Sequence, residues 1–157
     1  MPLEVLGSLL LFSVTTACSS DNNDELIVGK WYVQSVRHVT DDHTAGTHND
    51  YTIHTTDTNY IGYDSVEFYA DGTMRWHRND RYMHDGMYRE PNKYYSWYSS
   101  NDSLFMWNGS VENRLVYEIK KLNSKTLVME HYHNNEHEEY SHHHIEGTDC
   151  YTCQRSQ

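Results

Sequence analysis

Proline and glycine are scarce, at 2 and 8 of 157 residues. That excludes collagen-like repeats and Pro/Gly-rich low-complexity chains. Positive charge is also short: 12 Lys and Arg stand against 23 Asp and Glu, for a formal net charge of -11 with His neutral. A surface that grips phosphates needs the opposite balance, so nucleic acid is excluded as a partner, and adhesion to anionic lipid is disfavoured. No apolar run approaches the roughly 20 residues of a membrane-spanning helix. No sustained i, i+3, i+4 apolar pattern occurs, which removes a helical bundle. There is no nucleophile elbow, no phosphate-binding glycine loop and no H-E-x-x-H, so the chain reads as a non-enzyme. Phe is rare at 3, yet aromatics reach 13% because Tyr supplies 14 and Trp 4. With 22% charged residues, the chain is too apolar for a disordered tail, and its length suits one domain.

What the sequence does hold is period-two alternation between turn signals. Strands are expected at 31–38, 65–70, 73–78, 93–99, 103–108, 114–121, 125–133 and 136–144. In the first, Trp31, Val33 and Ser35 should share one face, with Tyr32, Gln34 and Val36 on the other. Later strands pair Val66 with Phe68, Met74 with Trp76, Leu104 with Met106, and Leu127 with Met129. Asp71-Gly72, Asn123-Ser124 and Asn134-Asn135 supply hairpin turns, while 39–62 and 79–92 read as long loops. Residues 148–155 form either a ninth strand or the eighth in place of 136–144. Sequential strands with one apolar face remove their open edges by closing, so the expected fold is an all-β, eight-stranded antiparallel up-and-down barrel. Such a barrel has room for its own side chains or for one small ligand. Trp31, Trp76, Tyr95, Trp97 and Tyr117 point inward by alternation. They are either plain core or the lining of a ligand calyx, with Tyr82, Met83, Met87 and Tyr88 at its mouth.

Twelve His is the outlying count. His131, His133, His137 and His142 to His144 lie close together among Glu130, Glu136, Glu138 and Glu139. A two-residue turn at Asn134-Asn135 would set His133 opposite Glu136 and His131 opposite Glu138. Two imidazoles and two carboxylates on one patch suit Zn, Ni or Cu, with zinc the cofactor to test; a solvated acidic face without metal is the alternative. The same imidazoles give the chain a charge that changes between pH 5 and 8. Cys150 and Cys153, spaced C-x-x-C, read as a small-loop disulfide in an oxidising compartment, with a metal pair or two free thiols as alternatives.

The first residues read as a targeting segment. Val5 to Val14 is an apolar run of the length of a secretion-signal core. Thr15-Thr16-Ala17-Cys18 follows it and resembles the lipobox of bacterial lipoproteins, which implies lipidation of Cys18. The expected organisation is a signal peptide over 1–17, a polar tether over 18–25 and a barrel over 26–157. Further resemblances lie in the barrel. Gly29-Lys30-Trp31 is similar to the G-x-W motif of lipocalins. Phe68-Tyr69-Ala70-Asp71-Gly72-Thr73 resembles the F-x-x-D-G-T hairpin of bacterial lipocalin-like lipoprotein domains. Tyr95-Ser96-Trp97 with Asp102-Ser103-Leu104, and Tyr117 to Leu122 with Thr126 to Met129, resemble that family's later strands. The resemblance spans about residues 26–133; the long 39–62 segment and the His-rich end depart from it. It implies a small barrel on a lipid anchor in the cell envelope, on the periplasmic or outer surface of the outer membrane. The partner it implies is a small apolar ligand, or else a protein for which the barrel is an interaction module.

Overall fold

The computed structural model describes residues 23–58, 60, 62–78, 93–134 and 144–155. A short helix, α1 (Asn23–Ile27), precedes nine strands: β1 (Gly29–Asp42), β2 (Thr47–His54), β3 (Tyr63–Phe68), β4 (Thr73–Arg78), β5 (Lys93–Ser100), β6 (Ser103–Trp107), β7 (Leu115–Leu122), β8 (Thr126–Asn134) and β9 (Ile145–Arg155). Every pairing is antiparallel, and β1 pairs with β9, which closes the sheet. β2 and β3 pair with successive parts of one edge of β1, from Ser35↔His54 upward and from Tyr32↔Ser65 downward. They act as one interrupted strand, so the closed cylinder is eight strands around, as expected.

Three expectations change. The segment 39–62 is not a loop. β1 runs on to Asp42 and turns through 43–46 into β2, and between β2 and β3 the described residues 55–58, 60 and 62 lie outside the sheet. That excursion is anchored by Tyr60, which is buried and donates its hydroxyl to the Tyr63 carbonyl at 2.6 Å. Second, Val36 is buried inside rather than outside. The β1–β9 register slips between Val33 and Ser35, and one extra residue in a strand reverses the side-chain phase beyond it. Third, the partner of β8 is β9, with His133↔Gly147 and His131↔Asp149. The expected neighbours Glu136 and Glu138 lie outside the described residues. Of the expected 136–144 strand, all but His144 lies outside the described residues, as does the 79–92 loop.

Strands alternate in direction, so the connections collect at two ends. One end is filled. Trp31, Val66, Leu104, Met106, Leu127, Met129 and Cys153 are wholly buried there, and Ile27 of α1 covers them. The Trp31 indole donates to the Ile27 carbonyl at 2.7 Å, and the Arg155 guanidinium lies 4.3 Å over its ring. Arg155 also donates to the carbonyls of Leu26 and Val28, which ties α1 to the last strand. A buried indole with its N–H satisfied contributes apolar area without a polar penalty. The tight turns of this end are fixed by short polar side chains. Asp71 accepts from the Thr73 amide at 2.9 Å and hydroxyl at 2.6 Å, and Gly72 takes φ +81. Asn123 accepts from the amides of Lys125 and Thr126, both at 2.9 Å.

Candidate functional site

The other end of the barrel carries a different interior. Going up β9 from buried Cys153, alternation places Tyr151, Asp149 and Gly147 on the inner face. The same rule places His38 above Val36 on β1, and His131 and His133 above Met129 on β8. The rings connect across the barrel: Tyr63 to Trp76 at 5.1 Å, Trp76 to Tyr151 at 5.4 Å, Tyr151 to Tyr117 at 6.2 Å, and Tyr117 stacked on His131 at 4.8 Å. These separations suit tilted and offset aromatic pairs. Burial keeps the phenols of Tyr117 and Tyr151 protonated well above the usual tyrosine range, helped by the nearby Asp149 carboxylate.

A polar rim lies above the rings. His38 donates from Nδ1 to Asp149 Oδ1 at 2.6 Å, and His133 Nε2 stands 3.9 Å from the same oxygen. The three side chains remain partly wet, at 30%, 23% and 37% exposure for His38, Asp149 and His133. Gly147 makes room for this arrangement. A Cβ there would lie 2.5 Å from the Val39 carbonyl oxygen and 2.8 Å from the His133 ring. Away from the rim, on the β4–β6 side, a cleft of about 410 Å³ opens where β5 continues past the end of β6, lined by Tyr69, Thr73, Met74, Tyr94, Tyr95 and Trp107.

The five inward aromatics therefore divide. Trp76 and Tyr117 belong to the ring cluster, and Tyr95 lines the separate β4–β6 cleft. Trp31 and Trp97 lie at the filled end, where Trp97 packs edge-on against Phe68 and donates to the Tyr69 carbonyl at 3.1 Å. Tyr63, Tyr151, His38 and Asp149 were not singled out by sequence. His38 and Asp149 are 111 positions apart, and no local spacing relates them.

Of the expected metal set, His131 and His133 share the inner face, opposite Asp149 and Gly147, while Glu136 and Glu138 lie outside the described residues. Cys18 also lies outside them. The expected disulfide is not formed: Cys150 and Cys153 are free thiols. Three residues apart on a straight strand, their side chains leave opposite faces, Cys153 into the core and Cys150 outward. Burial raises both thiols, Cys153 to about 12, so neither has the thiolate character of a nucleophile.

No family model and no curated protein matches the chain. Among solved structures, the chain is similar to a deswapped triple mutant of bovine odorant binding protein, at 12% identity and a TM-score of 0.45, over 83% of this chain and 74% of that one.

Proposed function

We propose that the chain is a non-catalytic lipoprotein of the cell envelope whose barrel takes up one small apolar or amphipathic molecule at its tyrosine-lined end. The observation that carries this reading is the contrast between the two ends. Side chains at the α1 end are wholly buried, whereas the rim side chains of His38, Asp149 and His133 at the other end keep contact with water. A ligand seated on Tyr63, Trp76, Tyr117 and Tyr151 would displace that water. Each 100 Å² of its apolar surface so covered is worth about 2.5 kcal/mol before ordering costs. The His38–Asp149–His133 rim suits a ligand with one polar group, because a few placed polar groups fix orientation in an otherwise apolar site.

Native mass spectrometry of untagged protein, purified without a metal column, tests this. A co-purifying molecule of a few hundred daltons released on unfolding is expected. A bare chain that also fails to take up any of a panel of apolar compounds would overturn the reading. The anchor is tested separately. Cys18→Ala should move the protein from the membrane fraction to the soluble one, and an unchanged distribution would remove the lipid. Among the described residues no helix is long and apolar enough to cross a membrane.

A second reading, an interaction module for another protein, has its own observation. The outer face of β4 to β7 is unusually aromatic. Tyr98 stacks on Phe105 at 4.6 Å and meets Trp107 at 5.8 Å, Arg114 lies over Phe105, and Arg75 lies over Tyr94. Tyr94 is 59% exposed. Tyr, Trp and Arg are the residues that dominate protein interfaces. Tyr94→Ala would weaken capture of such a partner and leave small-molecule uptake unchanged.

A further inference from the structure

We propose that His43, His144 and Glu146 form a binding site for one divalent transition-metal ion, zinc foremost, that clamps the β1–β2 turn to the start of β9. One donor atom from each lies within 4.8 Å of the other two. His43 Nε2 is already 2.8 Å from Glu146 Oε1, and the His43 and His144 rings are 4.9 Å apart at a 52° tilt. Zinc sits about 2.0–2.1 Å from nitrogen and carboxylate oxygen in a tetrahedron, which sets donor–donor edges of roughly 3.3–3.4 Å. The longest donor separation therefore closes by up to about 1.5 Å, and the His43–Glu146 pair opens by about 0.5 Å. Side-chain rotation supplies that without moving the strands.

The backbone holds the donors in place. The His43 amide donates to the His144 carbonyl at 2.9 Å, and the His144 amide donates to the Thr44 hydroxyl at 2.9 Å. These bonds extend the β1–β9 ladder one step beyond Asp42↔Ile145. The turn after His43 is set by Asp42, whose carboxylate accepts from the amides of Thr44 and Ala45 at 3.0 and 2.8 Å. Gly46 completes it at φ +66. An outer partner is present as well. The Tyr132 hydroxyl donates to Glu146 Oε2 at 2.8 Å, which orients the carboxylate and leaves Oε1 turned toward His43.

The donor set selects the ion. Two imidazoles and one carboxylate suit zinc, nickel or copper, whereas calcium and magnesium want oxygen alone. Three protein ligands leave a fourth position for water or an exogenous donor. The site stands on residues separate from the ring cluster, so it does not depend on ligand uptake. His133 also faces a carboxylate, since Asp149 Oδ1 lies 3.9 Å from its Nε2 and 2.6 Å from His38 Nδ1, but among the described residues the three donors that come within 4.8 Å of one another are those of His43, His144 and Glu146.

The test is isothermal titration of zinc chloride into the untagged full chain, with Glu146→Gln, His43→Ala, Tyr132→Phe and His131→Ala beside it. E146Q keeps the side chain's shape, and His43 is exposed, so neither should disturb the barrel. Expected is one zinc per chain, weakened at least tenfold by H43A and by E146Q. Y132F should lose roughly tenfold, the lower end for an outer-shell partner. H131A should leave the affinity within twofold. Cobalt substitution supplies a second readout: a tetrahedral visible band in the wild type that E146Q abolishes. Zinc affinity unchanged in both H43A and E146Q would overturn the site and assign binding to other histidines. So would equal losses in H131A and H43A.

Discussion

Replacing Gly147 by alanine is a sharp test of how β8, β9 and β1 are joined. The added Cβ would stand 2.5 Å from the Val39 carbonyl oxygen and 2.8 and 3.0 Å from two atoms of the His133 ring. Ordinary carbon contacts begin near 3.4 Å, so about 0.9 Å must be found on the Val39 side and about 0.6 Å on the His133 side. The imidazole can rotate away, but the Val39 oxygen belongs to the β1 backbone, paired to β9 along its whole length. Overpacking of this kind costs about 1–3 kcal/mol, and the backbone component puts G147A toward the upper end. With a urea slope of about 1–3 kcal/mol/M, the unfolding midpoint should fall by about 1 M. Thr148→Ala, the outward neighbour on the same strand, should stay within about 0.5 kcal/mol of wild type. His133→Ala made in the G147A background should recover part of the loss, a coupling that a double-mutant cycle isolates. If G147A and T148A unfold at the same urea concentration, Gly147 does not face His133, and 145–155 is not the closing strand.

Two further outcomes follow from burial. Alkylation with peptide mapping should label Cys150 in the native protein and reach Cys153 only on unfolding, since Cys153 is wholly buried; equal labelling of the two would refute their placement on opposite faces. The buried acids also set an alkaline limit. Cys153 is raised to about 12, and Tyr117 and Tyr151 are raised by burial, so the unfolded chain releases these protons first. It then binds fewer protons than the folded chain, and stability, fully present below about pH 9, falls as pH rises, by about 1.4 kcal/mol per unit for each group titrating. A urea midpoint that holds constant from pH 8 to 11 would contradict that burial.

The strands were legible because alternation is local. Val66 with Phe68, Met74 with Trp76, Leu104 with Met106 and Leu127 with Met129 all turn their expected face to the core. What escaped was set by distance along the chain or by a single irregularity. The β1 bulge reverses Val36, and no composition signal marks a bulge in advance. The 39–62 segment read as a loop because its strand is mostly exposed: seven of the eight β2 positions, all but Ile53, face water and carry no apolar alternation. The closing strand was one of two options, since both 136–144 and 148–155 alternate; only pairing with β1 distinguishes them. For the site, Trp76 and Tyr117 could be read from alternation, whereas His38 with Asp149 and His43 with Glu146, 111 and 103 positions apart, meet only because the barrel closes. The Cys-x-x-Cys spacing suggested a bond that a straight strand forbids.

Uptake at the tyrosine-lined end is the central claim, and fluorescence titration with a neutral apolar probe such as N-phenyl-1-naphthylamine tests it most directly. The account predicts saturable binding of one probe per chain, with energy transfer from tryptophan, at least tenfold weaker in Tyr151→Ala and unchanged in Tyr94→Ala on the outer face. Absence of saturable binding, or binding that Y94A weakens and Y151A does not, would contradict it.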